Sequence, residues 1–369
     1  MDPSANSEMN GEIIEIKEVT NEEVIEIKEE KKEFKQFDIV EDYSDQYFTK
    51  SNLSGKKGHS FIHDTGTVRK KIMREWKILE ENLPGSIYVR VYEGRIDLLR
   101  ATIIGAAGTP YHDGLFFFDF LFPPDYPVQP PSVHYHSFGL RINPNLYADG
   151  TVCLSLLNTW PGRKHERWNP SESTILQVLL SIQALVLNEK PYFNEPGYGI
   201  VPGIDWDKKS LTYSQNIFAL SCKIMLYVLR RPPRHFEDLV AAHFRERAHL
   251  ILMASKAYMD GLANIGCLVR NGSLSSSAAA TVTKSKKFKM VMDRLYPELV
   301  KAFAKTGASV GIFVEQVRKD IEETQSRPHT VKKKKEGFTR KIFNKVKKIL
   351  GLSKDTNSTT SSATHKRTP

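Results

Sequence analysis

The sequence predicts an α+β fold from three features: one segment with helical apolar spacing, four short β-type runs close behind it, and longer apolar helices after them. From Thr67 to Leu83, the residues Val68, Ile72, Trp76, Leu79 and Leu83 recur every three or four positions. They form one face of a helix that Pro84-Gly85 ends. Lys70, Lys71 and Arg74 fall off that face. Ile87 to Val91, Leu98 to Ile104, Leu115 to Phe122 and Ser132 to Ser137 are rich in β-branched and aromatic residues. Gly94, Gly105 to Pro110 and Asp113-Gly114 punctuate them. Parallel strands need long crossovers, so such short connections predict a four-stranded antiparallel meander. Pro123, Pro124, Pro127, Pro130 and Pro131 cannot donate to a ladder, which makes their stretch an exposed loop between strands three and four. Thr174 to Leu187, Ser210 to Leu229 and Phe236 to Met259 read as C-terminal helices, the last two separated by Pro232-Pro233. Phe288 to Ala304 and Val310 to Glu322 read as a further helical pair.

Composition bounds the organisation. A chain of 369 residues holds about two domains and tails, and 26% charged residues beside 40% hydrophobic ones implies sizeable polar tails. Residues 1–50 carry 6 Lys against 15 acids, whereas residues 327–369 carry 13 Lys and Arg against 2 acids. The net charge of +10 therefore belongs to the tail and not to the core. The expected domains are an acidic, disordered region over 1–60, a core with a helical extension over 61–265, a linker over 266–285, a helical segment over 286–325 and a basic tail over 326–369. The three cysteines are odd in number and lack metal-ligand spacing, which argues for a reduced cytoplasmic or nuclear setting with neither disulfides nor a metal site. No signal core, bilayer-length apolar run or Gly-rich phosphate loop is visible, so a soluble protein without a cofactor of its own is expected.

Both tails carry patterns. Glu12-Ile13-Ile14-Glu15-Ile16-Lys17-Glu18 recurs 11 residues later as Glu23-Val24-Ile25-Glu26-Ile27-Lys28-Glu29. β-branched residues in acidic flanks can add as a strand to a sheet edge, and the two copies, Ile13 to Ile16 and Val24 to Ile27, resemble motifs that bind the modifier SUMO. The alternatives are a duplicated solvated segment or a helix with an 11-residue repeat. In the basic tail, Lys332 to Lys335 precede Phe338, Ile342, Phe343, Val346, Ile349 and Leu350 at helical spacing, with Lys341, Lys345, Lys347 and Lys348 between them. That stripe suits peripheral attachment to an anionic membrane surface, and equally a nuclear-import or calmodulin-type partner or a merely solubilising tail. No aromatic-interleaved basic platform supports nucleic-acid binding.

The chemistry centres on Cys153. A Pro-rich element, Tyr126-Pro127-Val128-Gln129-Pro130-Pro131, leads to Asn143-Pro144-Asn145. Cys153 follows eight positions after Asn145, then Trp168-Asn169-Pro170 and a helix. This series resembles the catalytic core of ubiquitin-conjugating enzymes over roughly residues 66 to 200, with Asn143 in place of the family's His. The long loop between Cys153 and Trp168 and the run Pro191-Tyr192-Phe193-Asn194-Glu195-Pro196 look most like the large hybrid conjugase-ligases and their plant relatives.

The resemblance implies a ubiquitin-conjugating fold that carries ubiquitin as a thioester on Cys153. An activating enzyme consumes the ATP, and a ligase or substrate protein acts as further partner. A cysteine following the turn Asp149-Gly150 and preceding a polar loop is placed for partial exposure, and its thiolate is both nucleophile and leaving group. Asn145 occupies the family's position for stabilising the oxyanion or ordering the loop, and the Asn143 amide donates and accepts as the replaced His would. Glu195-Pro196 corresponds to the family's acid-Pro pair, so Glu195 is the candidate for orienting the acceptor lysine; Ser155 stands where many members carry another acid. In the first helix, Lys70, Lys71 and Arg74 either dock partners or form a solvated face, and Val128 lies at a ligase-contact position or in a plain structural turn. Arg163, Lys164, His165, Glu166 and Arg167 lie in a loop that contacts ubiquitin or is a tolerated insertion. Two other classes remain: a cysteine hydrolase pairing Cys153 with His112, His134, His136 or His165, and a non-catalytic ubiquitin or SUMO scaffold.

Overall fold

The computed structural model describes residues 34–50, 66–267 and 285–326. The acidic repeats at Ile13 to Ile16 and Val24 to Ile27 and the basic stripe from Phe338 lie outside the described residues. Helix α2 (Gly66–Asn82) buries Val68, Ile72, Trp76 and Leu79, the face its spacing predicts. Strands β2 (Ile87–Tyr92), β3 (Arg95–Ile104), β4 (Leu115–Leu121) and β5 (Ser132–Tyr135) pair antiparallel in sequence order, as expected of a meander. Every residue of β4 except Leu121 is buried, because helices cover one face and an N-terminal segment the other.

Within the region expected to be disordered over 1–60, residues 34–50 are instead ordered, and they add a strand to the expected antiparallel meander. Phe37–Val40 forms β1, which adds parallel to β2 and makes the sheet five-stranded and mixed. A four-residue strand inside an acidic stretch shows no periodicity, and its partner lies some fifty positions away, so no local signal marks it. Its anchors are long-range. Gln36 donates to the carbonyls of Pro84 and Ile87 at 2.7 and 3.1 Å, and the Arg90 guanidinium lies 4.3 Å above the Phe34 ring. Next comes a single helical turn, α1 (Tyr47–Lys50), laid on the outer face of β4. The Tyr47 amide donates to Asp119 at 2.7 Å, and the Tyr47 ring stacks on His134 at 3.4 Å between centroids. Beneath it, wholly buried Arg100 pairs with wholly buried Asp119 at 2.6 Å and with Asp45 at 2.8 Å. Arg100 and nearby His136 hold the Asp119 carboxyl well below the usual carboxylate range, although burial alone would raise it.

Beyond the sheet, α3 (Ile175–Ser181) opens with a reciprocal cap between Thr174 and Gln177 and continues as one π-turn, Ile182–Val186. The expected single helix from Thr174 to Leu187 is thus two geometries, with the wider turn next to the site. Helices α4 (Trp206–Arg230) and α5 (Glu237–Asp260) follow, then α6 (Lys286–Ala304) and α7 (Gly311–Ser326). The last pair, expected as a helical segment over 286–325, packs into the main core. Phe288, Met292, Leu299 and Phe303 of α6 enter the main core against α4 and α5, with Phe303 stacked on Phe244 at 5.7 Å. Asp113 ties α5 to the sheet: its carboxylate meets Arg247 at 2.6 Å and His112 at 2.8 Å, and its carbonyl accepts from His243 at 2.9 Å.

Removing Asp119 leaves Arg100 buried with only the half-exposed Asp45. Asp119→Ala is expected to cost about 3–5 kcal/mol of unfolding free energy in urea titration, whereas Lys77→Ala, which removes an exposed ion pair with Glu81, changes it by less than about 1 kcal/mol.

Candidate active site

Cys153 sits where the chain, having left β5, turns back on itself twice. Thr151 bridges to His134, Val152 bridges to Leu146, and the Tyr135 amide donates to the Gly150 carbonyl at 2.8 Å. Gly150 has φ 93°, and a Cβ there would overlap the His134 ring, so both conformation and space require glycine. The Asp149 carboxylate accepts from the Thr151 amide at 2.9 Å and completes the turn. The exit is fixed by Thr159, whose hydroxyl donates to the Val152 carbonyl at 2.7 Å and accepts from the Leu154 amide at 2.9 Å.

Asn145 and Cys153 hold each other through a pair of bonds. The Cys153 amide donates to the Asn145 carbonyl at 2.8 Å, and the Asn145 side-chain amide donates to the Cys153 carbonyl at 2.9 Å. Behind them lies Asn143, wholly buried. Its Oδ1 accepts from the Asn145 amide at 2.8 Å, and its Nδ2 donates to the Tyr111 hydroxyl at 2.8 Å and to the Val186 carbonyl at 2.6 Å. The π-turn presents that carbonyl, which is how the geometry of the helix end reaches the loop.

Cys153 is 8% exposed, more enclosed than the partial exposure expected of it. Burial pushes its thiol up from the ordinary 9.0, and Asp149 adds to this; a hydrogen bond from Tyr147 and the charge of Arg141 oppose it. Glu195 follows the short turn Pro191–Asn194, and its carboxylate lies 4.0 Å from Arg141. Arg141 in turn lies 4.3 Å over the Tyr147 ring and donates to the Pro144 carbonyl at 3.2 Å. Asn145 is thus bonded directly to Cys153, whereas Glu195 is joined to the site through Arg141. The Ser155 hydroxyl donates to the Pro161 carbonyl at 3.1 Å. Lys164, His165, Glu166 and Arg167 line a cleft of about 810 Å³ between the loop and α3 that begins at Leu154.

The histidines weighed as hydrolase partners are engaged elsewhere. His112 contacts Asp113, His134 stacks on Tyr47, His136 lies 2.9 Å from Asp119, and His165 lies beside Glu166. Among the described residues no group of His, Cys, Asp and Glu could hold a metal ion. Sequence reasoning passed over Glu75, which lies on the buried side of α2. Its carboxylate accepts from the Tyr126 hydroxyl at 2.8 Å and from the Ile175 amide at 2.9 Å, joining α2, the Pro-rich loop and the first turn of α3. Burial raises its carboxyl above the ordinary range. Its signal was an acid directly before a core Trp76 in the buried helical face. Arg141 and Tyr147 were also missed, because neither belongs to a short motif.

A family model described as Ubiquitin-conjugating enzyme matches residues 71–220. A protein of Arabidopsis thaliana named ubiquitin-conjugating enzyme E2 38 is 53% identical over 276 residues, 74% of this chain and 82% of that protein. Another from the same organism, named ubiquitin-conjugating enzyme E2 24, is 53% identical over 275 residues, 74% of this chain but 29% of its own length. The Homo sapiens protein named dual E2 ubiquitin-conjugating enzyme/E3 ubiquitin-protein ligase BIRC6 is 44% identical over 184 residues, 47% of this chain and 4% of that protein.

Two outcomes are expected. Asn143→Ala strands several buried partners and should cost about 2–3 kcal/mol in thermal or urea unfolding; an unchanged midpoint contradicts the bonds assigned to it. Because the thiol is raised above 9.0, its thiolate is scarce at neutral pH, and iodoacetamide labelling of Cys153 should keep accelerating through pH 9. A plateau below pH 8, read by peptide mass spectrometry, contradicts that direction.

Proposed function

The chain belongs to the ubiquitin-conjugating enzyme family, and from that premise we propose that it accepts ubiquitin from an activating enzyme as a thioester on Cys153 and passes it to a substrate lysine. The supporting observation is the reciprocal bonding of Asn145 and Cys153, braced from behind by buried Asn143. In charging, the Cys153 sulfur attacks the carbonyl of the incoming thioester; a new S–C bond forms and the donor thiol leaves. In discharge, the lysine nitrogen attacks that carbonyl, the C–N bond forms, and the electron pair of the C–S bond returns to sulfur. The proton lost by the nitrogen passes to solvent or a nearby base.

A thiol of raised pKa is a poor leaving group, so the thioester keeps ubiquitin until an amine is well placed. Asn145 donates one of its two amide hydrogens to the Cys153 carbonyl, which leaves the other for the oxygen that becomes negative during attack. On this reading Glu195, which meets Arg141 at 4.0 Å, orients the acceptor ammonium. Partners on this reading are ubiquitin, the activating enzyme, and a ligase or substrate protein that meets exposed Val128 on the Pro-rich loop. Ligase character of its own, SUMO binding by the acidic repeats and membrane contact by the basic tail are further parts of the proposal that rest on the sequence alone.

With ATP and a ubiquitin-activating enzyme, the protein should form a ubiquitin adduct on non-reducing gels that thiol removes. Cys153→Ser should convert it to a thiol-resistant ester; folded protein that charges with neither ubiquitin nor SUMO overturns the reading. Asn145→Ala should leave charging within a few-fold while slowing discharge onto free lysine about 10²–10³-fold. Equal losses in both steps would instead make Asn145 a purely structural residue.

A further inference from the structure

Arg141 belongs to no motif of the site, yet its side chain touches three parts of it. The guanidinium lies 4.3 Å over the Tyr147 ring, donates to the Pro144 carbonyl at 3.2 Å, and stands 4.0 Å from the Glu195 carboxylate. One side chain therefore links the turn before Cys153, the ring beside the thiol, and the loop at the far rim. The bond to Pro144 and the stacking fix it in place, although its side chain remains 48% exposed. A surface ion pair at 4.0 Å contributes little to stability. A cation held in place near a largely buried thiol nonetheless biases which proton forms are present, and at Cys153 it acts against burial.

We propose that Arg141 is a positioning residue that sets the charge of the site. Laid on Tyr147 and paired with Glu195, it holds a positive charge beside Cys153 that favours the thiolate during charging and the neutral amine during discharge. The inference rests on the conjugating function proposed above and assigns a residue to its electrostatics. The sign is the same in both steps. A positive charge stabilises the sulfur anion and disfavours the lysine ammonium, whose proton has to leave before the nitrogen can attack. The charged and titratable groups named around this point are Tyr147 and Asp149 from the turn, Glu195 and Tyr198 from the segment after α3, and Tyr213 from α4. Asp149 opposes Arg141 at the thiol, and Glu195 partly neutralises it. The direction in which burial and Asp149 push the thiol is thus held back by Tyr147 and Arg141 together.

The test uses full-length protein and two readouts. In the first, iodoacetamide labelling of Cys153 is followed against pH by peptide mass spectrometry, which needs no ubiquitin. Arg141→Gln should move the labelling profile to higher pH by about one unit, Arg141→Lys by less, and Glu195→Gln in the opposite direction. In the second, single-turnover discharge onto free lysine is followed against pH; Arg141→Gln should slow it at neutral pH, with the rate recovered at higher pH. A structural role alone would lower the rate equally at every pH. Labelling profiles that coincide for wild type and Arg141→Gln, with unchanged melting temperature, overturn the assignment whatever the charging assay shows. A protein that does not charge overturns the conjugating function, and the labelling shift still decides what Arg141 does.

Discussion

One buried amide sets the geometry on which the site depends. Asn143 binds the Asn145 amide with its oxygen, and the Tyr111 hydroxyl and the Val186 carbonyl with its nitrogen. Those partners come from the loop after β3, from the turn that leads to Cys153, and from the π-turn that ends α3. Apolar packing has no directional preference that could hold three loops in one register; hydrogen bonds to a side chain without exposure do. The Asn145 amide direction and the course of Cys153 follow from this register. The neighbouring Asn194 strengthens the same junction, donating to the carbonyls of Leu185 and Val186.

The remainder of the protein applies the same device with carboxylates. Glu75 joins α2 to the Pro-rich loop and α3, Asp113 joins α5 to the turn between β3 and β4, and Asp119 joins the sheet to the N-terminal segment. Each is buried or nearly so, and each has at least two partners, which is the condition under which a buried charge is tolerated. The hydrophobic core, continuous from α2 through the sheet to α6 and α7, supplies the driving force; these carboxylates add directional contacts between its elements.

The loop that Asn143 holds also governs the surroundings of Cys153. Cys153 is largely buried in a loop held by side-chain hydrogen bonds, and Tyr147 and Arg141 oppose the upward push of burial on its thiol. Enclosure and nearby charge act against each other, and their balance sets how much of the Cys153 thiol is ionised.

Local signals made much of this visible. The 3–4 spacing of Val68 to Leu83, the aromatic runs of the meander and the apolar run from Thr174 reflect chain-local geometry, and α2, β2 to β5 and α3 could be read from them, whereas the candidate thiol was marked by the resemblance of the Asn143-Pro144-Asn145 to Cys153 interval to the family's. The two acidic repeats and the basic stripe were equally visible as patterns. What lay beyond reach required residues far apart in the chain: β1 beside β2, α6 in the core between α4 and α5, Glu75 a hundred positions from Ile175, and Arg141 between Tyr147 and Glu195. Periodicity records which face of an element turns inward. It carries no record of what that face meets, because pairing and ion contacts are set by the packed chain, where burial gives a single polar group its weight.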